Sequence, residues 1–273
     1  MSERTSKSNI LAAGLLSLSF MFSLLMLSDY GEYRAGAETY AAVSESCTTE
    51  NEMPEETETE VTTKEPEAEA VPEDLAAPVT VDFQKLLSIN KDVIGWLYIG
   101  AFPISYPILH AGDNDTYLRT TIEHKSNNAG SIFSDHACSP DFKDRNTVIY
   151  GHNMHDDTMF GKLKWFLKSP DGTDYFKKDD TFWIITPERT CKYKIFSVFT
   201  TEPGGEAYTL FQKKSDLFAD WCRMMKERSE IRTVPDLFTE RTRVVTLSTC
   251  AEDTSKRLVV MGRPVRWSEN REE

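Results

Sequence analysis

A chain of 273 residues, 40% hydrophobic, is long enough for one sizeable domain or two small ones and apolar enough to bury a core. Its net charge of -13 is unevenly spread: residues 45–74 hold twelve acids and one lysine, which leaves residues 75–273 close to neutral. No basic face remains for nucleic acid.

Residues 10–27 form an uncharged apolar run. As a helix, eighteen residues rise about 27 Å, close to the hydrocarbon thickness of a bilayer. Arg4 and Lys7 precede the run, and Asp29 and Glu32 follow it. Positive charge stays inside, so the expectation is a single-pass signal anchor over 10–28, with residues 1–9 cytoplasmic and the remainder outside. Ala35-Gly36-Ala37 offers a small-x-small site for the competing reading, a cleaved signal peptide, but lies well beyond the apolar run. Residues 29–78 are expected to form an acidic flexible stalk. From residue 38 on, the segment is rich in Glu, Thr, Ala and Pro and too poor in large apolar side chains to offset its ordering entropy. Cys47 falls there and reads as an exposed thiol with no task.

The pattern changes at residue 81. Asp82 is suited to cap a short helix over 83–87. Short β-rich runs follow at 94–99, 104–109, 130–133, 147–150, 182–186, 191–199, 244–249 and 258–265, many separated by Gly, Pro, Asn or Asp. Apolar stripes predict helices over 159–167 and 215–228. The fold class expected is mainly β: a closed or nearly closed eight-stranded barrel with helical insertions and an N-terminal helix. The folded domain is expected to span 79–268, with 269–273 as a charged tail.

The five cysteines, at 47, 138, 191, 222 and 250, are odd in number and contain no CxxC pair. That suits neither a disulfide framework nor a paired-ligand zinc site, so no metal or cofactor is expected. Cys191 opens a strand, Cys222 sits on an apolar helix face, and both read as core. Cys138, in a polar loop, is either inert or merely exposed. Cys250 ends an apolar strand where the chain turns polar, so its backbone is fixed while its sulfur can face a ligand. Taken alone, a small buried hydrophobe is the favoured reading. A thiol nucleophile needs a proton partner, and histidine titrates near neutrality. His152 follows the 147–150 strand and a glycine, whereas His110, His124, His136 and His155 sit in polar or mixed loops. Arg257 opens the strand after Cys250, and a hairpin-like return would bring its always-charged fork back beside the thiol.

The stretch Thr246-Leu247-Ser248-Thr249-Cys250, with Arg257 seven residues on and Tyr150-Gly151-His152 about a hundred residues earlier, resembles sortases. Gly95-Trp96-Leu97, Tyr106-Pro107, Asp113-Asn114-Asp115 with Tyr117-Leu118, Gly130-Ser131-Ile132-Phe133 with Asp135, and Asn153-Met154 with Met159-Phe160 resemble class B members. The similarity covers residues 81–267. It implies an eight-stranded barrel tethered outside a Gram-positive cell. Such an enzyme cuts the C-terminal sorting motif of surface proteins after Thr, generally Asn-Pro-x-Thr in class B, and joins the freed carboxyl to a peptidoglycan amine of the cell wall. Carried over by position, Cys250 is nucleophile, His152 acid/base and Arg257 oxyanion or substrate-orienting residue. Asn114, Leu118 and Ser248 would line the substrate side. Ala251 stands where an acid often follows the cysteine, which leaves no clear role for Glu252 or Asp253 in orienting His152. An L,D-transpeptidase would want a His-Gly-Cys-type cluster. A pilin-polymerising sortase would usually bring a lid and a C-terminal span. A stalked surface-binding module would keep an inert thiol.

Overall fold

The computed structural model describes residues 31–51, 77–211, 217–233, 237–239, 241–250 and 255–269, with backbone alone at Cys250 and 266–269. The expected membrane span, the cytoplasmic residues 1–9, stalk residues 52–76 and the last four residues of the charged tail lie outside these. Among the described residues no helix is long and apolar enough to cross a membrane.

Eight strands close a barrel: β3 (Val93–Ile99), β4 (Ile104–Leu109), β5 (Ile132–Ser134), β6 (Asn146–Tyr150), β7 (Thr181–Ile185), β8 (Arg189–Thr201), β9 (Val244–Cys250) and β10 (Arg257–Glu269). Around the barrel the order is β10-β8-β7-β3-β4-β5-β6-β9, with β9 returning to β10. All eight coincide, to within a few residues, with the β-rich runs of the sequence. Most neighbours are antiparallel, but β4 with β5 and β6 with β9 are parallel. β9 is buried from Val244 to Thr249, because the barrel interior lies on one side and a helix layer on the other. That two-sided burial is why Val244-Val245-Thr246-Leu247 reads as a continuous run rather than an alternation.

The outer layer is α4 (Phe218–Glu227), whose Phe218, Trp221, Cys222 and Met225 are buried at helical spacing. They pack on Phe196, Phe199, Val259 and Met261. A register shift in the β8–β10 ladder, where Met261 pairs Ser197 and Gly262 pairs Ile195, leaves Phe196 unpaired. The extra residue lets Phe196 join the outer cluster while Ser197 Oγ donates to the Met225 carbonyl at 2.6 Å. Each such fully buried apolar side chain contributes about 1.5–3 kcal/mol. The sequence had extended this helix back to 215, but Leu217 is 69% exposed. The expected helix over 159–167 is a 3-10 turn, Gly161–Phe166, preceded by Met159 at φ 52°. Its apolar residues Met159, Phe160, Leu163 and Phe166 are nonetheless buried.

The stalk expectation is overturned for residues 31–51. Residues 31–47 are helix, α1, and β1 (Thr48–Glu50) pairs antiparallel with β2 (Val79–Val81). Tyr33, Gly36, Tyr40, Val43 and Cys47 recur at steps of three and four and form the inward stripe of α1, with Tyr40, Val43 and Cys47 in the main core. The Tyr40 hydroxyl donates to the Gly130 carbonyl at 2.7 Å, and its ring meets Tyr106 edge-on at 5.5 Å. Gly36 lets the helix close on the barrel, since a Cβ there would stand 2.7 Å from Asn127 Oδ1. Asn127 Nδ2 caps the contact on the Glu32 carbonyl at 2.7 Å. Cys47 is therefore buried rather than exposed. Its carbonyl accepts from the amide of Asp82, the residue that caps α2 (Phe83–Ile89) through Lys85 N at 2.9 Å.

The folded body thus begins before residue 79. A chain starting at residue 77 is expected to unfold at lower urea than one starting at residue 29. Tyr40→Ala in the longer chain is expected to cost about 3–5 kcal/mol. Equal urea midpoints for all three proteins would show that α1 does not pack in solution.

Candidate active site

Strand register gathers the candidate residues. β6 and β9 pair in parallel from Asn146↔Val244 to Tyr150↔Ser248, and Gly151 N extends the ladder by donating to the Ser248 carbonyl at 3.1 Å. The same offset carried onward sets His152 level with Cys250. On the other side of β9, Cys250 pairs directly with Arg257 at the start of β10. Backbone pairing thus sets Cys250 opposite Arg257, and residue 152, about a hundred residues earlier in the sequence, lies at the same end of the adjoining strand pair.

Gly151 is fixed by space, since a Cβ there would stand 2.5 Å from Ile132 Cδ1 and 2.7 Å from Phe160 Cδ2. The tight passage delivers His152 to the surface, where its carbonyl accepts from Phe160 N at 3.0 Å. The ring Nε2 stands 2.6 Å from the Leu118 carbonyl. A carbonyl only accepts, so Nε2 carries the hydrogen and Nδ1 of the neutral ring is left to accept a proton. Arg257 Nη1 donates to the Lys256 carbonyl at 3.0 Å.

A cleft of about 320 Å³ runs along this face. Asn114, Leu118, His152, Ser248 and Arg257, all singled out in the sequence, line it together with Tyr150. Leu118 holds its apolar side chain 38% exposed at the rim, available to an apolar part of a ligand. Asn114 is pinned at both ends of its amide: Nδ2 donates to Asp135 Oδ2 at 3.0 Å and Oδ1 accepts from His136 N at 2.9 Å. Ser248 Oγ is 2.7 Å from the Tyr208 hydroxyl, and the Tyr208 ring stacks on Tyr150 at 6.3 Å. Tyr208 and Asp135 were not among the sequence candidates for the site. Tyr208 ends a single 3-10 turn, Glu206–Tyr208, after Gly204-Gly205, with no periodic pattern to mark it. Glu252 and Asp253 lie outside the described residues. A wider cleft of about 910 Å³, between Trp165 and Lys192, contains none of the candidate residues.

The other four cysteines are buried. Burial pushes the Cys138 thiol up to about 12 and that of Cys222 up to about 12, and it raises Cys191 as well. Their thiolates, the nucleophilic forms, are suppressed near neutral pH. Cys138 is not loop-exposed: its Sγ is 3.7 Å from the Asn146 carbonyl, to which it donates weakly. His110, placed by the sequence in a polar or mixed loop, is partly buried with Nδ1 2.8 Å from Ser134 Oγ, and burial lowers its pKa.

Residues 97–265 match the sortase domain. Over 190 residues the chain is 37% identical to sortase B of Listeria monocytogenes, covering 67% of this chain and 73% of that protein. The crystal structure of Bacillus anthracis sortase B superposes with a TM-score of 0.67 at 27% identity, over 87% of this chain and 99% of the other. A Staphylococcus aureus sortase B–substrate complex superposes with a TM-score of 0.60 at 28% identity, over 68% of this chain and 85% of that one.

Alkylation of the native protein with iodoacetamide at neutral pH is expected to leave Cys47, Cys138, Cys191 and Cys222 unmodified until denaturant is added. Peptide mapping that finds any of them labelled at the rate of a free thiol would contradict the packing described.

Proposed function

The chain belongs to the sortase family as a class B cysteine transpeptidase, and from that premise we propose that Cys250, His152 and Arg257 carry its reaction on a C-terminal sorting motif of the Asn-Pro-x-Thr kind. The strand register supports these roles more than any other single observation: Cys250 is paired with Arg257, and the β6–β9 offset runs on to His152.

In this reading the Cys250 thiolate attacks the threonine carbonyl, and negative charge gathers on its oxygen. Arg257 faces that charge with a fixed fork of donors. The tetrahedral adduct collapses by breaking the amide bond after Thr, the departing amine takes a proton from the His152 imidazolium, and a thioester to Cys250 remains. An incoming cell-wall amine gives a proton to the neutral imidazole, attacks the thioester and releases the Cys250 thiolate. Nδ1 is the ring atom left for these transfers, since Nε2 is engaged by the Leu118 carbonyl. Asn114, Leu118 and Ser248 hold the motif along the cleft. Residues 10–28, with Arg4 and Lys7 before them, anchor the enzyme in the cell membrane as a single-pass protein with its catalytic domain outside. Its partners are surface proteins bearing the sorting signal and a peptidoglycan precursor or wall amine.

Incubation with a sorting-motif peptide, followed by mass spectrometry, tests the assignment. An acyl adduct on Cys250 is expected, absent in Cys250→Ala. His152→Ala is expected to lower turnover by about a hundredfold or more, as befits lost proton transfer. Arg257→Lys should fare nearly as badly, because one ammonium cannot reproduce the fork. An adduct on Cys138, or undiminished activity in Cys250→Ala, would overturn the reading.

A further inference from the structure

We propose that Asp135 is a positioning residue of this site: its buried carboxylate ties together the two walls of the cleft and, through Leu118, fixes the orientation of the His152 ring. The inference rests on the assignment of His152 as proton carrier.

Asp135 follows β5 and is 8% exposed. A carboxylate so buried needs donors on its oxygens. Oδ2 accepts from Asn114 Nδ2 at 3.0 Å and from the Tyr150 hydroxyl at 2.8 Å, and Oδ1 accepts from Ala137 N at 2.9 Å. The protonatable neighbour is His136, whose Nδ1 is 3.6 Å from Oδ1 and whose side chain is half exposed. His110 adds a more distant charge when protonated. Within the first wall, Asn114 is held from both ends by the turn that Asp135 opens, and the same loop runs on to Leu118, the carbonyl partner of Nε2. Within the second, Tyr150 stacks on Tyr208, which bonds Ser248 beside the cysteine. Asp135 Oδ2 is the atom at which the walls join. Burial raises the Tyr150 phenol pKa, and the bond to Asp135 raises it further, so the hydroxyl stays protonated and keeps donating.

Only a carboxylate satisfies this arrangement. An amide at 135 would have to aim its NH2 group either at Ala137 N–H or at the two donors on Oδ2. Turning the Asn114 amide to compensate would set its NH2 against His136 N–H. Asp135→Asn therefore leaves a donor facing a donor wherever the amides are turned, and one wall must shift. A misalignment of about 1 Å suffices for a loss of about a hundredfold when the reacting groups must be held in register.

The test uses a fluorogenic peptide of the Asn-Pro-x-Thr kind with the wild type, Asp135→Asn, Tyr150→Phe and the double variant. Iodoacetamide labelling of Cys250 serves as the control for an intact nucleophile. Asp135→Asn is expected to lose about tenfold to a hundredfold in kcat/KM, mostly in kcat, with Cys250 labelling unchanged. The double variant should be no worse than Asp135→Asn, because the Tyr150 hydroxyl acts through that carboxylate. Independent, multiplying losses, or an Asp135→Asn enzyme within twofold of wild type, would overturn the proposal. If the wild type does not cleave the peptide, the assigned function fails, and nitrogen-15 NMR of the neutral imidazole still reads the positioning. His152 is expected as one Nε2–H tautomer in the wild type and as a mixture in Asp135→Asn. Should Asp135→Asn not fold, Asn114→Ala must show the same mixing, and an unmixed Nε2–H ring in it would refute the claim.

Discussion

Two neighbouring strands that run the same way must end at the same edge of a sheet, and β6 and β9 run the same way. Everything at the site depends on that pairing. A parallel pair cannot be joined by a tight turn, so the chain between Tyr150 and Val244 travels a long way. It lays down β7, β8 and α4 before it returns. The detour builds two of the eight barrel strands and the outer helix layer that buries β9 on its second face. The functional ends are thereby left together at the edge, one carrying Gly151 and His152, the other Ser248 to Cys250. The antiparallel return of β10 then adds Arg257 with no further device.

The walls of the cleft are held by polar bonds as well as by aromatic packing, and the polar bonds have a cost. Asp135 is charged and nearly buried, and Asn114, Tyr150 and Ala137 satisfy it with three donors. Such a group destabilises the fold strongly if one partner is lost, because the others cannot rehydrate it. A wall of aliphatic side chains would be safer for stability but would not fix a histidine ring. The Leu118 carbonyl orients His152 from the backbone, a role for which no acidic residue is required. That bears on Ala251, which stands where a side-chain acid was thought to belong. The neutral ring needs only a fixed acceptor at Nε2, and the loop pinned by Asn114 supplies one.

The barrel was largely legible in the sequence because each of its strands is a short β-branched or aromatic run cut off by turn residues. The three candidate positions stand at strand ends beside a glycine or a polar break, where side chains can face a ligand, but it was the resemblance to sortases that singled them out. Residues 31–51 were misread for a specific reason. The composition of the stretch is acidic and small, and a composition argument averages over the helix. The stripe Tyr33, Gly36, Tyr40, Val43 and Cys47 occupies one residue in three or four, so the average hides it while the period shows it. Asp135 and Tyr208 escaped for another reason. Their partners lie 21 and 40 residues away, Asn114 for one and Ser248 for the other, and no local pattern announces a bond that the tertiary fold makes. The 159–167 stretch has helical spacing, yet Met159 sits at positive φ. The close turn after Gly151, where Phe160 N bonds the His152 carbonyl, overrides local propensity.

The central claim is that β6 and β9 deliver residues 152 and 250 to the same level, and a covalent ruler tests it directly. Neighbouring strands lie about 4.8 Å apart, within the roughly 4.4–6.8 Å separation of Cα atoms that a disulfide spans. In His152→Cys protein oxidised by air at neutral pH, peptide mapping is expected to find residues 152 and 250 joined, with Cys47, Cys138, Cys191 and Cys222 still reduced. A variant in which 152 and 250 both stay free under conditions that oxidise exposed thiols, or in which 250 pairs with another cysteine, would contradict the register and with it the site.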